Sequence, residues 1–339
     1  MRMNKLSVWL ISGFLLLISC GKPVTPETLI PDDISGGYKI VKVFATPGYA
    51  QDVLKKDNLL YIAQGEGGLL IVNITDPANP QIVSQTTENV RGYSSKIAMK
   101  DSAVYLAAGT FGVSVVNAAN PDTPFVTVSN LGMKPARDFY ILGNFIFTAV
   151  SEQGVNIADI SYPTEPDIRG GLTTVGYAYG LTISADSNYL FAACGEMGMS
   201  IYDISNFQEG FGTYPLVGWC DAPGDAEAIS IIDNEKIAFL ACGTGGLQIL
   251  DYSDTSNIFI AGSFDSIGYA KDLIYSNGLI YMTMETYGLQ IIDVSDITKP
   301  SLVGIVPTSF ALGLCKDDKY IYVADETEGL IIISIPASR

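Results

Sequence analysis

Residues 287–296 read YGLQIIDVSD: a glycine, a run dominated by large apolar side chains, an aspartate and a turn-like tail. The pattern recurs as GGLLIVNITDP (67–77), FGVSVVNAANP (111–121), QGVNIADISYP (153–163), MGMSIYDISN (197–206), GGLQILDYSD (245–254) and EGLIIISIP (328–336). Its glycine stands at Gly68, Gly112, Gly154, Gly198, Gly246, Gly288 and Gly329, at intervals of 41 to 48 residues. Five residues on comes Asn73, Asn117, Asp159, Asp203, Asp251 or Asp293, and Ser334 in the last copy. Such a period, met seven times, marks a chain built from one repeated supersecondary unit.

Each unit has three further parts. Ahead of the glycine lies a lead-in hexapeptide: GYAQDV (48–53), GYSSKI (92–97), KPARDF (134–139), GYAYGL (176–181), GDAEAI (224–229), GYAKDL (268–273) and SFALGL (309–314). A short run such as LLYIA (59–63) or YIYVA (320–324) follows it, and a segment such as PQIVSQTT (80–87) or PSLVGIV (300–306) closes the unit. All are short, rich in β-branched and aromatic residues and bounded by Gly, Asp, Asn or Pro, so they predict strands with no helix between them. LLIVNI and LIIISI are apolar on consecutive residues, which predicts a strand buried on both faces. A radial array of four-stranded sheets covers both faces; a half-solvated sandwich does not. The seventh unit stops at Arg339 after its third strand, while YKIVKVFAT (38–46) precedes the first unit unclaimed. Pairing the two closes a ring and leaves no open edge there. The sequence thus predicts an all-β chain whose residues 37–339 form a seven-bladed β-propeller of four-stranded blades, closed three-plus-one by its N-terminal strand.

The runs GLLIVN, GVSVVN, GLQILD and GLQIID resemble the LVIVD repeat, and the resemblance extends over about residues 38–336. It implies a bacterial or archaeal envelope protein of propeller fold. It implies little about activity, because propellers host many unrelated tasks. Copies three (GVNIAD) and seven (GLIIIS) depart from the pattern, so less regular packing is expected in those blades.

With 36 acidic and 19 basic residues the formal charge is −17, which repels phosphate backbones and excludes nucleic acid as an expected partner. There is no histidine. That removes the usual general base, the commonest metal ligand and every Ser-His-Asp or Cys-His arrangement. No metal and no organic cofactor is expected. Any enzyme here must work through carboxylates, lysine, tyrosine or cysteine.

At the start, Arg2 and Lys5 precede an apolar stretch from Leu6 to Ser19. That is too short for a bilayer-spanning helix, which takes ~20 residues, but it suits a secretion signal. Leu17–Cys20, LISC, resembles the lipobox of bacterial lipoproteins. The resemblance implies cleavage after residue 19 and lipidation of Cys20; an ordinary signal with a chance cysteine is the alternative. Residues 20–36 read as a tether. Gly21 in place of an aspartate points to an outer-membrane lipoprotein, whichever side it faces, anchored by its lipid and acting as a monomer.

Candidate sites fall into five groups. The paired side chains Asn73/Asp76, Asn117/Asn120, Asp203/Asn206, Asp251/Asp254 and Asp293/Asp296 suit turn capping better than calcium binding. The second lead-in residue is Tyr49, Tyr93, Pro135, Tyr177, Asp225, Tyr269 or Phe310, aromatic in five copies. The loops before the glycines add Glu66, Glu152, Glu196, Glu285, Glu326 and Glu328. Tyr49, Tyr93, Tyr177, Tyr269, Phe310, Glu66, Glu196, Glu285 and Glu326 are taken as a ligand-binding rim suited to sugars or cationic groups, although each ring can instead simply fill a gap between blades. No residue is assigned a catalytic role. Cys194, Cys220, Cys242 and Cys315 read as buried free thiols. In the insertion of copy four, Phe207, Phe211 and Tyr214 serve either a partner or the blade beneath. The preferred function is a binding, adhesion or scaffold module for a glycan or protein ligand. The alternative is an envelope glycosidase or lactonase using the rim glutamates Glu66, Glu196 and Glu285.

Overall fold

The computed structural model describes residues 34–207 and 212–337. The leader, Cys20, most of the tether and Phe211 lie outside them. Seven four-stranded antiparallel sheets account for all the strands, and no helix occurs among the described residues. Six sheets each take four consecutive strands. Their inner strands are Asp52–Lys56, Lys96–Lys100, Asp138–Leu142, Gly180–Ile183, Ala228–Ile232 and Asp272–Ser276, which number blades one to six. The seventh sheet joins Ala311–Lys316, Tyr320–Asp325 and Gly329–Ser334 to Lys39–Phe44 from the start of the chain.

The third strand shows why the repeated run has to be apolar on consecutive residues. In blade one, Leu70 and Val72 join a core shared with blade seven, whereas Leu69 and Ile71 join a core shared with blade two. Adjacent side chains of a strand point to opposite faces, and here both faces meet a neighbouring sheet. Seven such clusters lie one in each gap between blades, including the gap that closes the ring. Each fully buried Leu or Ile contributes about 1.5–3 kcal/mol.

The glycine of the run has its own cause. Gly68 has φ +69°, and a Cβ there would stand 2.2 Å from the carbonyl oxygen of Thr86 on the outer strand. Gly329 repeats the contact at 2.6 Å, but the carbonyl belongs to Phe44. Lys39–Phe44 therefore occupies the outer-strand place of blade seven, pairing Lys39 with Ser334 and Phe44 with Leu330. The asparagine or aspartate ends the strand: Asn73 Oδ1 accepts the Thr75 N–H at 2.8 Å, and Asp203 does the same for Ser205. Asp76, Asn120, Asp254 and Asp296 also accept turn amides, and no metal-holding cluster occurs among the described residues.

Two expectations need correction, and one open alternative is resolved. Blade seven is as tightly filled as the rest, with Leu330 to Ile333 fully buried, because its departure from the pattern, Ser334, falls at the strand end. In blade three the second residue of the run, Asn156, is only partly buried, whereas the polar residues at that place in blades two, four, five and six, Ser114, Ser200, Gln248 and Gln290, are buried. Cys194 and Cys242 are buried, but Cys220 and Cys315 are only partly covered, and all four are free thiols. In the blade-four insertion, Phe207 packs on Phe145, Phe147 and Tyr214, so these rings cover the blade-three face.

Candidate functional site

The inner strands run side by side around the axis, each beginning at the end that carries the lead-ins. The fourth lead-in residue of every blade lines one axial cavity of about 430 Å³: Gln51, Ser95, Arg137, Tyr179, Glu227, Lys271 and Leu312. That volume lies within the ~300–1,000 Å³ of small-molecule sites.

The fifth lead-in residue builds the floor. Lys96 of blade two reaches across the axis to Asp272 of blade six at 2.5 Å, and Asp52 stands 3.9 Å from the same ammonium. Asp52 and Asp138 each span to the next blade: Oδ2 of Asp52 accepts the Ile97 N–H, and Oδ2 of Asp138 accepts the Leu181 N–H. Gly313 completes the floor of blade seven, where Asp52 occupies the space a side chain would need. Burial pushes the Asp52 carboxyl up to about 7, the opposing pull of Lys96 notwithstanding and the charge of Asp272 adding to the rise. Burial raises Asp138 as well. For Lys96 burial works downward, but Asp272, Asp52 and Asp138 outweigh it and hold the ammonium above its usual range. One cation thus serves three carboxylates at the bottom of the cavity.

The wall is polar and mostly paired. Lys271 contacts Glu227 at 2.8 Å, and Tyr269 donates to the other oxygen of that carboxylate at 2.7 Å. Arg137 differs. Its Nε donates to Ser151 Oγ and its guanidinium lies 5.6 Å over the Tyr179 ring. No carboxylate approaches it within ion-pair distance among the described residues. The amide of Gln51 is buried beside the Tyr93 hydroxyl.

The rim residues do not gather at one point. Tyr93 donates to Glu326 at 2.9 Å beside the axial cavity. Glu285 lies within the field of Lys271, Glu227 and Glu326, and burial raises its carboxyl, the two glutamates adding to the effect. Tyr177 and Glu196 line a second, lateral cavity of about 450 Å³ that shares Tyr179 with the first. Tyr49 and Glu66 are exposed, and Phe310 is half-buried with its N–H donated to Asp325. A further cavity, about 730 Å³, lies at the opposite end, walled by turn residues of blades six and seven and by the C-terminal segment up to Ala337.

The model of the LVIVD repeat matches residues 47–87, 134–174, 223–266, 267–308 and 317–338, more than half of the sequence. The chain belongs to the LVIVD-repeat family. In this LVIVD protein the matched segments are blades one, three, five, six and seven, so the two blades that looked irregular are matched while blades two and four are not. Blade two carries Lys96, and blade four carries Tyr179 and the long insertion. The crystal structure of the computationally designed Ika8 protein is similar, with a TM-score of 0.60 and 11% identity over 88% of this chain and all of the designed one. That likeness concerns the fold alone. No curated protein sequence matches.

Asp52, Lys96, Asp138 and Asp272 all stand at the fifth lead-in position, to which the sequence alone assigns no role. Their signal was the change of residue type at one repeated position, Asp, Lys, Asp, Gly, Ala, Asp, Gly, in a unit that otherwise keeps its types.

Proposed function

We propose that this LVIVD-repeat protein is a lipid-anchored binding module of the cell envelope that engages a glycan or protein ligand non-covalently on the face bearing the axial cavity. One observation carries the reading: seven structurally equivalent residues line that cavity, and no two of them are alike. Positions that build blades repeat because packing dictates them. Positions around the axis face open space, and packing sets no residue there. Arg137 and Gln51 add donors for a ligand's oxygen atoms, and the Lys96–Asp272 pair lies among the residues that line the cavity. Anchoring through Cys20, with residues 20–36 as tether, rests on the LISC motif and points to the outer membrane.

The test is capture of the full-length protein on glycan and peptide arrays. The combined change Arg137→Ala and Gln51→Ala should abolish the wild-type signal without lowering the melting temperature. An undiminished signal would refute the axial site. For the anchor, Cys20→Ala should move the protein from the detergent phase to the aqueous phase.

Hydrolysis of a sugar or lactone has one observation in its favour. Glu285 is held toward its protonated form beside Glu227 and Glu326, the relation of acid to carboxylate that glycosidases use. Turnover of a glycoside or lactone panel, lost on Glu285→Gln, would select this reading over simple binding.

A further inference from the structure

The repeat supplies its own reference here. Six blades each form a bridge from the loop before the repeated glycine to the next blade: Gly65 with Ser94, Gly109 with Ala136, Ser151 with Ala178, Gly195 with Ala226, Gly243 with Ala270 and Glu285 with Ala311. The residue preceding each bridge partner is the second lead-in residue. Where a tyrosine there faces a loop glycine, the ring lies on the glycine. A Cβ on Gly65 would stand 2.7 Å from the Tyr93 ring, and one on Gly243 would stand 2.8 Å from the Tyr269 ring.

At Gly195 the next blade offers Asp225 instead of a ring. Tyr179 of the same blade leans against Gly195, and the space beside it stays open as the lateral cavity. Its walls are Tyr177, Tyr179 and Met197, and its carboxylates are Glu152, Glu196 and Asp225. No lysine or arginine lines it. Tyr177 is 54% exposed and Met197 42%, a large apolar area to leave uncovered. The other copy without a ring is a useful contrast. There Pro135 follows Gly109, nothing stands within 4 Å of a Cβ on that glycine, and the result is open surface.

We propose that the lateral cavity receives the guanidinium group of an arginine side chain from a basic protein partner, its flat cation lying beside the Tyr179 ring that covers Gly195, where Asp225 stands in place of a tyrosine. The proposal rests on reading this face as a binding face, but at a site apart from the axial cavity. A guanidinium is planar. It stacks on tyrosine faces, and its forked N–H groups match a carboxylate. It sheds water more easily than an ammonium does, which favours arginine over lysine in a partly enclosed slot. The chain's charge of −17 draws a basic partner in. A neutral glycan lacks the cation, and an acidic one is repelled.

The experiment is fluorescence anisotropy with the full-length protein in detergent and three labelled peptides carrying arginines, lysines or glutamines in one Gly-Ser background. The arginine peptide should bind tightest and the glutamine peptide not at all. Asp225→Asn should weaken arginine binding about tenfold, the worth of one charge-assisted contact. Asp225→Tyr restores the ring that Tyr93 and Tyr269 provide, so it should abolish binding while the melting temperature holds or rises. Arginine binding no tighter than glutamine binding, or unchanged in the Asp225→Tyr protein, overturns the proposal. Capture that depends on Arg137 and is indifferent to Asp225 also overturns it, yet leaves the axial reading standing.

Discussion

The third strand of each blade and the lead-in to each inner strand belong to the same repeated unit and obey opposite rules. Leu247–Asp251 and Leu289–Asp293 are almost the same peptide, because in every blade that strand is clamped between two neighbours; apart from the buried Gln248 and Gln290, the covered positions of these two strands take large apolar side chains. The lead-ins share a backbone path, but their fourth and fifth residues differ in charge, size and polarity, because they border the axis rather than another sheet. Repetition within this chain reports packing. Departure from it at the fourth lead-in residue marks the places where packing makes no demand, whereas at the fifth Asp52 and Gly313 fit one another.

Three measurements test that contrast, in decreasing order of expected effect. Ile291→Ala, in the clamped strand, should cost about 2–5 kcal/mol in denaturant unfolding, since neither neighbouring sheet can collapse into the void. A cost no larger than that of a surface change would break the contrast. Asp52→Asn, at the axis, should show its effect through pH. The folded-state carboxyl is raised to about 7, so the protonated form is favoured by folding. The stability this brings is complete below pH 4 and is lost as pH rises through 7. The asparagine variant should therefore gain on the wild type between pH 4 and 7 and keep a constant gap above. Parallel melting-temperature curves across that window would contradict a buried, raised carboxyl. Asn73→Ala, at the end of the clamped strand, removes only the acceptor for the Thr75 N–H and should cost about 1 kcal/mol.

Much of the fold was legible because burial on both faces of a strand writes consecutive apolar residues into the sequence and does so in every copy. The closing strand was legible as well, through what the last unit lacked. The site was less so. Tyr93, Tyr177, Tyr269 and the rim glutamates could be named from their place in the unit, but not their partners: Tyr93 goes to Glu326 and Tyr269 to Glu227, while Tyr177 and Glu196 line a different cavity. Nor did a regular lead-in residue such as Asp52 reveal that it strings two blades together.

The number of blades, the strand order within them and the way the ring closes all follow from a local pattern repeated at a fixed period, and so can be read from the order of residues alone. That Lys96 meets Asp272, 176 residues away, and that Asp225 comes to line one cavity with Tyr177, Tyr179 and Glu196 follow from the folded ring alone. The reason is geometric. Contacts within a blade join neighbours in the chain, whereas contacts across the axis exist only once the ring has brought distant blades face to face.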